Sequence, residues 1–252
     1  MTTTVFVHGV PETSAIWTPV LAELAELGHH DVVRLSPPGF GAEVPTGFEA
    51  TVDGYRDWLA RELARFDGPV DLVGHDFGGG HTTTVAMDHP ELLRSWVTDV
   101  LGVFEPDYVW HPQAQIWQTP GDGEHAVAQL VGAPVAERAA ALVGLGIPEP
   151  IAGEVAAGQD ERMGEAILSL YRSAVQPALV HRGRNLPAAA PHGLAVIATH
   201  DQAVGSVEQR RRAAARAGAR TVVLDGLGHW WMLQDPVRAA RALDEFWSSL
   251  PA

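Results

Sequence analysis

Six short runs rich in Val, Leu and Ile recur along the chain, and each is followed by a glycine or a polar turn. Most are separated by about 25 to 40 residues with helical patterns, as expected for a strand and a crossover helix. Apolar runs without polar alternation are typical of strands buried on both faces of a parallel sheet. The runs therefore predict a doubly wound α/β sheet. They are TTVFVHG at 3–9, DVVRLSPPG at 31–39, VDLVGHD at 70–76, RSWVTDVLG at 94–102, GLAVIATHD at 193–201 and RTVVLDGLGH at 220–229.

The spacing is interrupted once, by the long interval between Gly102 and Gly193. This interval contains helical patterns such as GEHAVAQLV and DERMGEAILSLYRSAV, which are separated by prolines that end helices. We predict that residues 1–102 and 191–252 form the α/β core and that residues 103–190 form a helical cap. The prolines are Pro120, Pro134, Pro148, Pro150 and Pro177.

Two missing residue types narrow the chemistry of this chain. It contains no Cys, and all 17 of its basic residues are Arg. The first absence excludes thiol nucleophiles, disulfides and thiolate metal sites, and the second excludes Schiff bases and Walker-type phosphate loops. A formal charge of −14 argues against nucleic acid as a partner. We expect neither a cofactor nor a metal.

The start of the chain, MTTTVFVHGV, has neither a basic segment nor a long apolar run, so no secretory signal is predicted. No apolar window of about 18 residues is present that could span a membrane. We expect a cytoplasmic, soluble protein that binds a small apolar organic substrate and no membrane. A homodimer is a possible oligomeric state.

Acidic and imidazole side chains follow the ends of several predicted strands. Ligands of open α/β sheets bind beyond the carboxyl ends of the strands, so these residues are candidates for a site. They are His8, Asp76, Asp99, Asp201 and His229.

Asp76, within GHDFGGG, allows three interpretations. Gly74, Gly78 and Gly80 could form a nucleotide-binding turn, but the short-chain dehydrogenase pattern also needs a Tyr-x-x-x-Lys pair, and Lys is absent. Asp76 could instead only tolerate a left-handed backbone or cap a helix. The third interpretation is a nucleophile elbow, a sharp strand-to-helix turn whose glycines leave room for an exposed reactive side chain.

Four segments resemble, in the same order, the motifs of the α/β-hydrolase family, and they cover nearly the whole chain. The resemblance implies that Asp76 is the nucleophile, Asp201 the triad acid and His229 the triad base, with Asp99 as the competing acid. Family members usually have two strands before the HG motif, but only seven residues precede His8, so we expect six strands, all parallel. The segments are HGVPE at 8–12, GHDFGG at 74–79, ATHDQAVG at 198–205 and GLGHWWMLQDP at 226–236.

An Asp at the elbow implies different chemistry from the Ser of most members. A carboxylate attacks a saturated carbon without a general base and leaves an alkyl ester, which His229 would hydrolyse by activating water. The backbone N–H groups of Val10 and Phe77 would hold the oxyanion. The bond between Val10 and Pro11 is expected to be cis, as in the similar HGxP pattern of epoxide hydrolases. The His8 ring is expected to have a structural role and to hold this loop in place.

The residues around the elbow favour an epoxide over a halide. Phe77 and Val10 stand where haloalkane dehalogenases carry Trp and Asn as halide donors, and Phe77 and Gly80 stand where haloacetate dehalogenases carry Arg. The stretch LSLYRSAVQP resembles the cap helix of epoxide hydrolases whose Tyr protonates the opening oxygen. Tyr171 is therefore either this acid or a core residue that shares a helical face with Ile167 and Ala174.

Aromatic residues around the motifs predict an apolar pocket. The tyrosine that partners the acid in typical epoxide hydrolases is missing near HPQAQIWQTPG, where Tyr108, Gln113 and Trp117 are the candidates to replace it.

Haloalkane dehalogenation, with Trp110 or Trp117 as halide donor, is the alternative function. Ester or lactone hydrolysis and a non-hydrolytic binder or lyase are the further rivals. The predicted pocket residues are His8, Phe40, Tyr108, Trp110, Gln113, Trp117 and Trp230.

Overall fold

The computed structural model describes residues 2–251, which contain a sheet of six strands. Each pair of neighbouring strands is parallel, and the order across the sheet is β2-β1-β3-β4-β5-β6. The predicted six-stranded, wholly parallel α/β sheet is thus confirmed. The strands are β1 (Thr4–Val7), β2 (Val32–Leu35), β3 (Val70–Gly74), β4 (Leu93–Thr98), β5 (Gly193–Ala198) and β6 (Arg220–Leu224).

The inner strands are buried on both faces, as their continuous apolar runs predict. Every residue of β1, β3 and β5 is buried, whereas β2 and β6, at the two edges of the sheet, are mostly half-buried or exposed. Along β1, Val5 and Val7 belong to one buried apolar cluster and Phe6 to another, because successive side chains of a strand point to opposite faces. The molecule therefore has two apolar layers, one on each side of the sheet.

Helices cover both layers. In the part of the chain that the structure describes, they are α1 (Thr18–Glu26), α2 (Val52–Leu63), α3 (Phe77–Asp88), α4 (Pro112–Gln118), α5 (Asp122–Gly132), α6 (Val135–Gly144), α7 (Glu149–Gly158), α8 (Glu161–Ser173), α9 (Ala178–Arg182), α10 (Val207–Arg216), α11 (Trp231–Gln234) and α12 (Pro236–Ser248). Helices α1, α11 and α12 pack together over one face, and α2 packs on α3 over the other.

Helices α4 to α9 lie between β4 and β5, within the segment predicted as a cap. Helices α4, α5 and α8 pack on one another, while α6 packs on α7. This group contacts the loops that follow the first two strands: Gln159 Nε2 donates a hydrogen bond to the Pro11 carbonyl, and Ala166 packs against Gly39. Because all strands are parallel, those loops leave the carboxyl edge of the sheet, so the helices cover the edge at which a ligand would bind.

None of the helices within residues 2–251 is by itself both long and apolar enough to cross a membrane. Helices α5 and α6 reach the required length and apolarity only when taken together, and they are bent by 108° at the break between them.

Candidate active site

Asp76 occupies a sharp turn between the end of β3 at Gly74 and the start of α3 at Phe77. Its φ of 50° and ψ of −128° place a non-glycine residue in a backbone region that L-residues rarely adopt. The turn is also crowded: a Cβ added at Gly78 would lie 2.3 Å from the Val7 carbonyl oxygen, and one at Gly9 would lie 2.3 Å from the Asp76 Cβ. The glycines are therefore required by close backbone approach, which is the geometry of a nucleophile elbow.

The Asp76 carboxylate faces the loop that follows β1. The Val10 backbone N–H donates a hydrogen bond of 2.9 Å to Asp76 Oδ1, and the bond from Val10 to Pro11 is cis. Burial raises the pKa of the Asp76 carboxyl above its usual range, although His229, His75 and the Phe77 backbone N–H each act to lower it. Of the two predicted oxyanion-hole residues, Val10 makes this hydrogen bond, and Phe77 follows Asp76 directly at the start of α3.

His229, in the loop after β6, lies beside Asp76 and Asp201. Its Nδ1 atom is 2.9 Å from Asp201 Oδ2, and its Nε2 atom is 3.9 Å from Asp76 Oδ2. The other oxygen of Asp201 accepts the Ala203 backbone N–H at 2.8 Å. Burial alone would raise the pKa of Asp201, but His229 and the Ala203 N–H bring it down to about 2. The nucleophile, acid and base predicted from the sequence are therefore brought together.

Asp99 forms no hydrogen bond with His229 in the part of the chain that the structure describes. Its carboxylate contacts the elbow turn and two neighbouring side chains instead. Its Oδ2 atom is 2.5 Å from His75 Nδ1 and 2.7 Å from the Trp231 indole nitrogen, which donates to it. Its Oδ1 atom accepts the Asp76 backbone N–H at 3.1 Å. The competing role of Asp99 as the triad acid is thus unsupported by the geometry, because all three contacts fix the backbone and the neighbours of Asp76.

Glu12, at the end of the segment HGVPE, is a further buried carboxylate of the site and was not predicted. It accepts the Gly9 backbone N–H at 3.2 Å and the Trp230 indole N–H, and its Oε1 atom is 3.4 Å from His75 Nε2. Burial would raise the pKa of Glu12, but His75 lowers it to about 2. Both ring nitrogens of His75 therefore face carboxylates, which raise the pKa of His75 well above the ordinary value even though burial opposes this.

Glu12, His75 and His229 also form the group, among the described residues, that could hold a metal ion, since their donor atoms lie within 4.8 Å of one another. The Nδ1 atoms of both imidazoles are already bound to carboxylates, Asp99 and Asp201. The same contacts orient both imidazoles for proton transfer.

Asp76 borders a small, largely apolar cavity that is partly open to solvent. Of the residues predicted for the site, Phe77 and Trp110 also line it. Three polar lining residues were not predicted: His81, Thr84 and His111. Helical periodicity could have suggested His81 and Thr84, which follow the elbow on α3, whereas His111 opens the segment HPQAQIWQTPG, in which other residues were predicted. The remaining lining residues are Val52, Gly80, Val100, Val103, Phe104, Leu179, Ala203 and Val204.

Tyr171, on α8, is buried among aromatic rings next to the elbow. Its ring centroid lies 4.8 Å from that of Phe77, 4.8 Å from that of Trp117 and 5.6 Å from that of Trp110. Its hydroxyl has no hydrogen-bond partner among residues 2–251, unlike that of Tyr108, which donates to the Ala203 carbonyl at 2.7 Å. Burial and then the charge of Asp76 raise the pKa of Tyr171 well above that of a free tyrosine, so it remains a proton donor.

Several residues predicted for the pocket do not line the cavity. Gln113 is exposed, because Ala114 and Trp117 form the buried face of α4. Phe40 packs against Tyr55 in the core, and His8 Nδ1 lies 2.9 Å from the Gly9 carbonyl. Trp230 contacts His229 and Glu12, Trp117 packs behind Tyr171, and Tyr108 is turned towards Ala203. These six residues lie outside the lining of this cavity, as do Val10, Tyr171, Asp201 and His229.

Residues 4–242 match the model of a family described as the alpha/beta hydrolase family. Two curated relatives match over about a third of this chain. One is an (E)-2-((N-methylformamido)methylene)succinate hydrolase of Acinetobacter baylyi, 30% identical over 91 residues, which are 36% of this chain and 34% of the relative. The other is a 2-(acetamidomethylene)succinate hydrolase of Mesorhizobium japonicum, 35% identical over 95 residues, 36% of this chain and 33% of the relative. The matches thus span only about a third of each relative's length.

Solved structures of several hydrolase types share the fold along nearly the whole chain. An E-2-(acetamidomethylene)succinate hydrolase has a TM-score of 0.72 at 22% identity, covering 98% of this chain and 92% of its own. A haloalkane dehalogenase loop variant from Bradyrhizobium elkanii has a TM-score of 0.72 at 18% identity, covering 98% and 91%. An enol-lactonase from Burkholderia xenovorans has a TM-score of 0.72 at 19% identity, covering 99% and 92%. At these identities the likeness concerns the fold alone.

Proposed function

The chain belongs to the alpha/beta hydrolase family, and we propose that it is an epoxide hydrolase that opens an apolar epoxide through an alkyl ester on Asp76. The observation that carries the proposal is the alignment of Asp201, His229 and Asp76 around an elbow whose reactive side chain is a carboxylate. A carboxylate suits attack on a saturated carbon, whereas its attack on an ester would give a labile anhydride. This favours epoxide or halide substrates over esters and lactones.

The first step forms the ester. Oδ1 of Asp76 is held by the Val10 N–H, so Oδ2 attacks an epoxide carbon. The C–O bond to Asp76 forms as the C–O bond of the epoxide breaks, and the departing oxygen takes the proton of the Tyr171 hydroxyl. Tyr171 is available for this role because its hydroxyl lacks a partner among the described residues, and burial and the charge of Asp76 raise its pKa, which keeps the hydroxyl protonated before the attack.

The second step hydrolyses the ester. His229 takes a proton from water while the hydroxide formed attacks the carbonyl carbon, and the N–H groups of Val10 and Phe77 stabilise the oxyanion. The intermediate then expels the alkoxide of the diol, which takes the proton from His229. Asp76 is left as the neutral acid and returns its proton, through water, to the Tyr171 phenolate. The sum is one epoxide and one water converted to one vicinal diol.

His111 is a second donor for the departing oxygen in this proposal. Its Nδ1 atom accepts the Ala114 backbone N–H at 3.3 Å, so the neutral ring carries its proton on Nε2. Burial and then His229 lower the pKa of His111, which keeps the ring neutral. Its ring lines the cavity and lies 6.5 Å from that of Tyr171. His111 also opens the segment HPQAQIWQTPG, where no second tyrosine occurs.

Haloalkane dehalogenation is the alternative, and one observation favours it. The Trp117 indole N–H is buried without a partner among the described residues, next to Tyr171. A halide, however, needs more than one donor, and the Trp110 indole N–H is already donated to the Ala174 carbonyl. The side chains of Phe77 and Val10 have no donors. The donors available therefore suit an oxygen leaving group better than a halide.

The dicarboxylate substrates in the names of the curated relatives are not carried over to this chain. A carboxylate substrate in a largely apolar cavity needs a cation to pair with it. None of the residues that line this cavity is Arg. We therefore assign an uncharged substrate.

The test is to trap the ester. A His229→Ala variant incubated with a terminal epoxide should gain the mass of the epoxide on the peptide that contains Asp76, and an Asp76→Ala control should gain nothing. One turnover of the unaltered protein in heavy-oxygen water should label the Asp76 carboxylate. Diol formation without adduct or label would contradict the nucleophile. Halide release from haloalkanes without diol formation from epoxides would favour the alternative.

A further inference from the structure

His81 is a buried imidazole of the cavity that the mechanism above does not use. It lies on α3, four residues after Phe77, and its side chain lines the same cavity as Asp76. The ring is stacked on Tyr55, with centroids 4.9 Å apart and planes inclined by 22°. Tyr55 is itself fixed by the hydrogen bond from its hydroxyl to the Pro38 carbonyl at 2.7 Å. The His81 ring is thus held rigidly against one wall.

Neither ring nitrogen of His81 has a hydrogen-bond partner within residues 2–251, although the residue is only 2% exposed. The ring nitrogens are not fully enclosed by protein, so the small exposed part of the ring faces the cavity that His81 lines. His75 and His229 both have carboxylate partners, so His81 differs from the other imidazoles close to Asp76. A ligand in the cavity is the partner that its position allows.

His81 is also neutral. Burial, with smaller effects of His8 and Arg182, lowers the pKa of His81 to about 3. A neutral imidazole offers one N–H donor and one nitrogen acceptor. It can therefore bind a hydroxyl, which is both donor and acceptor, or a carbonyl, but it cannot neutralise a carboxylate.

Few other polar groups line the cavity wall around His81. Thr84, one turn further along α3, donates its hydroxyl to the His81 carbonyl at 2.9 Å. Val52, Phe104 and Leu179 are apolar lining residues. His111 belongs to the inserted helices, where its Nδ1 atom is bound to the Ala114 N–H. His81 is therefore the side chain of α3 that can form a hydrogen bond with the part of a substrate that lies away from the reacting carbon.

We propose that His81 is a specificity-determining residue that hydrogen-bonds a neutral hydroxyl or carbonyl carried by the substrate away from its reacting carbon. This inference rests on the proposed function, since Asp76 fixes where the reacting carbon lies. The substrate class is then an otherwise apolar epoxide with one uncharged polar group, as opposed to a plain hydrocarbon epoxide or an epoxy acid.

The kinetic test compares two terminal epoxides of equal chain length, of which one carries a hydroxyl at the far carbon. The unaltered protein should have the higher kcat/KM for the hydroxylated epoxide. His81→Leu should lower that preference by about tenfold, since a hydrogen bond left unmade by a buried neutral group costs about this much. His81→Gln, which keeps a donor and an acceptor, should retain most of it. The control His89→Leu, which makes the same change at the far end of α3 and outside the cavity, should leave it unchanged.

A binding test does not depend on turnover. The corresponding alkenes cannot be opened by Asp76, so they report on His81 even if the proposed reaction is wrong. The nitrogen resonances of the His81 ring, assigned by their loss in His81→Leu, should shift on titration with the alkenol and stay in place with the plain alkene. Equal responses to both ligands, or equal losses of kcat/KM on both epoxides in His81→Leu, would overturn the inference and leave His81 a structural role.

Discussion

The Nε2 atom of His229 lies 3.9 Å from Oδ2 of Asp76, while its Nδ1 atom lies 2.9 Å from Asp201. The first distance is too long for a hydrogen bond and the second is typical of one. A serine nucleophile must give its proton to the histidine, whereas a carboxylate has none to give. The separation is therefore compatible with a base that acts on water in the second step and not on the nucleophile in the first.

The rate of ester hydrolysis falls on the acidic side of its pH profile, and Asp201→Asn should move this fall to lower pH. Burial opposes protonation of His229, but the Asp201 carboxylate raises the pKa of His229 above its ordinary value of 6.5, with Asp76 adding to this and His75 opposing it. The base must be neutral, so in the unaltered protein hydrolysis falls as the pH drops through this raised pKa. Without the carboxylate the pKa drops, and the maximal rate should fall by about a hundredfold or more because His229 is no longer oriented.

The measurement is the single-turnover decay of the alkyl ester as a function of pH. Glu91→Gln, which changes an exposed carboxylate, is the control and should leave the profile as it is. An acid limb that stays in place in Asp201→Asn would mean that another carboxylate orients His229.

Tyr171→Phe should slow ester formation from epoxides selectively. Losing a proton donor to the departing oxygen should lower the alkylation rate by about a hundredfold, whereas a halide leaves without a proton, so any alkylation by haloalkanes should change little. Rapid-quench measurement of the Asp76 adduct gives both rates. Tyr108→Phe is the matched control, since the Tyr108 hydroxyl is already donated to the Ala203 carbonyl. Equal slowing with both electrophiles would indicate a packing defect at Phe77.

Gly78→Ala should destabilise the fold, because the new Cβ would meet the Val7 carbonyl oxygen at 2.3 Å and the backbone must shift. We expect a loss of about 3 kcal/mol in the free energy of unfolding. Gly153, inside α7, has nothing within 4 Å of an added Cβ, and Gly153→Ala should stabilise the protein by up to about 1 kcal/mol. Urea titration measures both changes. A tolerated Gly78→Ala would contradict the crowded elbow.

Glu12→Gln should reduce the amount of unfolding free energy that the protein loses at low pH. The pKa of Glu12 is about 2 in the folded protein against 4.5 for the free side chain. Its folded pKa is lowered, so its stabilisation is present above pH 4.5 and is lost as the pH falls from there towards about 2. Over that window the unaltered protein should lose about 3 kcal/mol that the variant does not lose. Urea titrations at a series of pH values measure the difference, and parallel curves would count against a buried, charged Glu12.

Local patterns were sufficient to predict the sheet. The six apolar runs predicted six strands because strands buried on both faces are rich in apolar residues along their whole length. The GHDFGG segment likewise predicted the elbow, since Gly74 and Gly78 are fixed by backbone contacts within a few residues of the turn and with β1. The roles of Asp76, Asp201 and His229 were predicted from the resemblance to the α/β-hydrolase motifs, and parallel strands bring the residues at their carboxyl ends to one edge of the sheet.

The lining of the cavity could not be predicted in this way. Tyr108 and Gln113 were expected in the pocket, but the hydroxyl of Tyr108 is turned to the Ala203 carbonyl and Gln113 lies on the exposed face of α4. His111 and His81, which no motif marked, line the cavity instead. Side-chain direction within the inserted helices depends on how those helices pack over the sheet, and that packing is long-range.

By itself, the sequence determined the parallel sheet and the turn at Asp76, because strand burial and glycine contacts are local requirements that residue types express directly; the candidate partners came from the resemblance of its motifs to the α/β-hydrolase family. Only the tertiary structure decided that Asp201, and not Asp99, reaches His229, and that Glu12 and Asp99 enclose His75. Those pairings join segments far apart in the chain. They follow from distances of a few ångströms that sequence spacing does not encode.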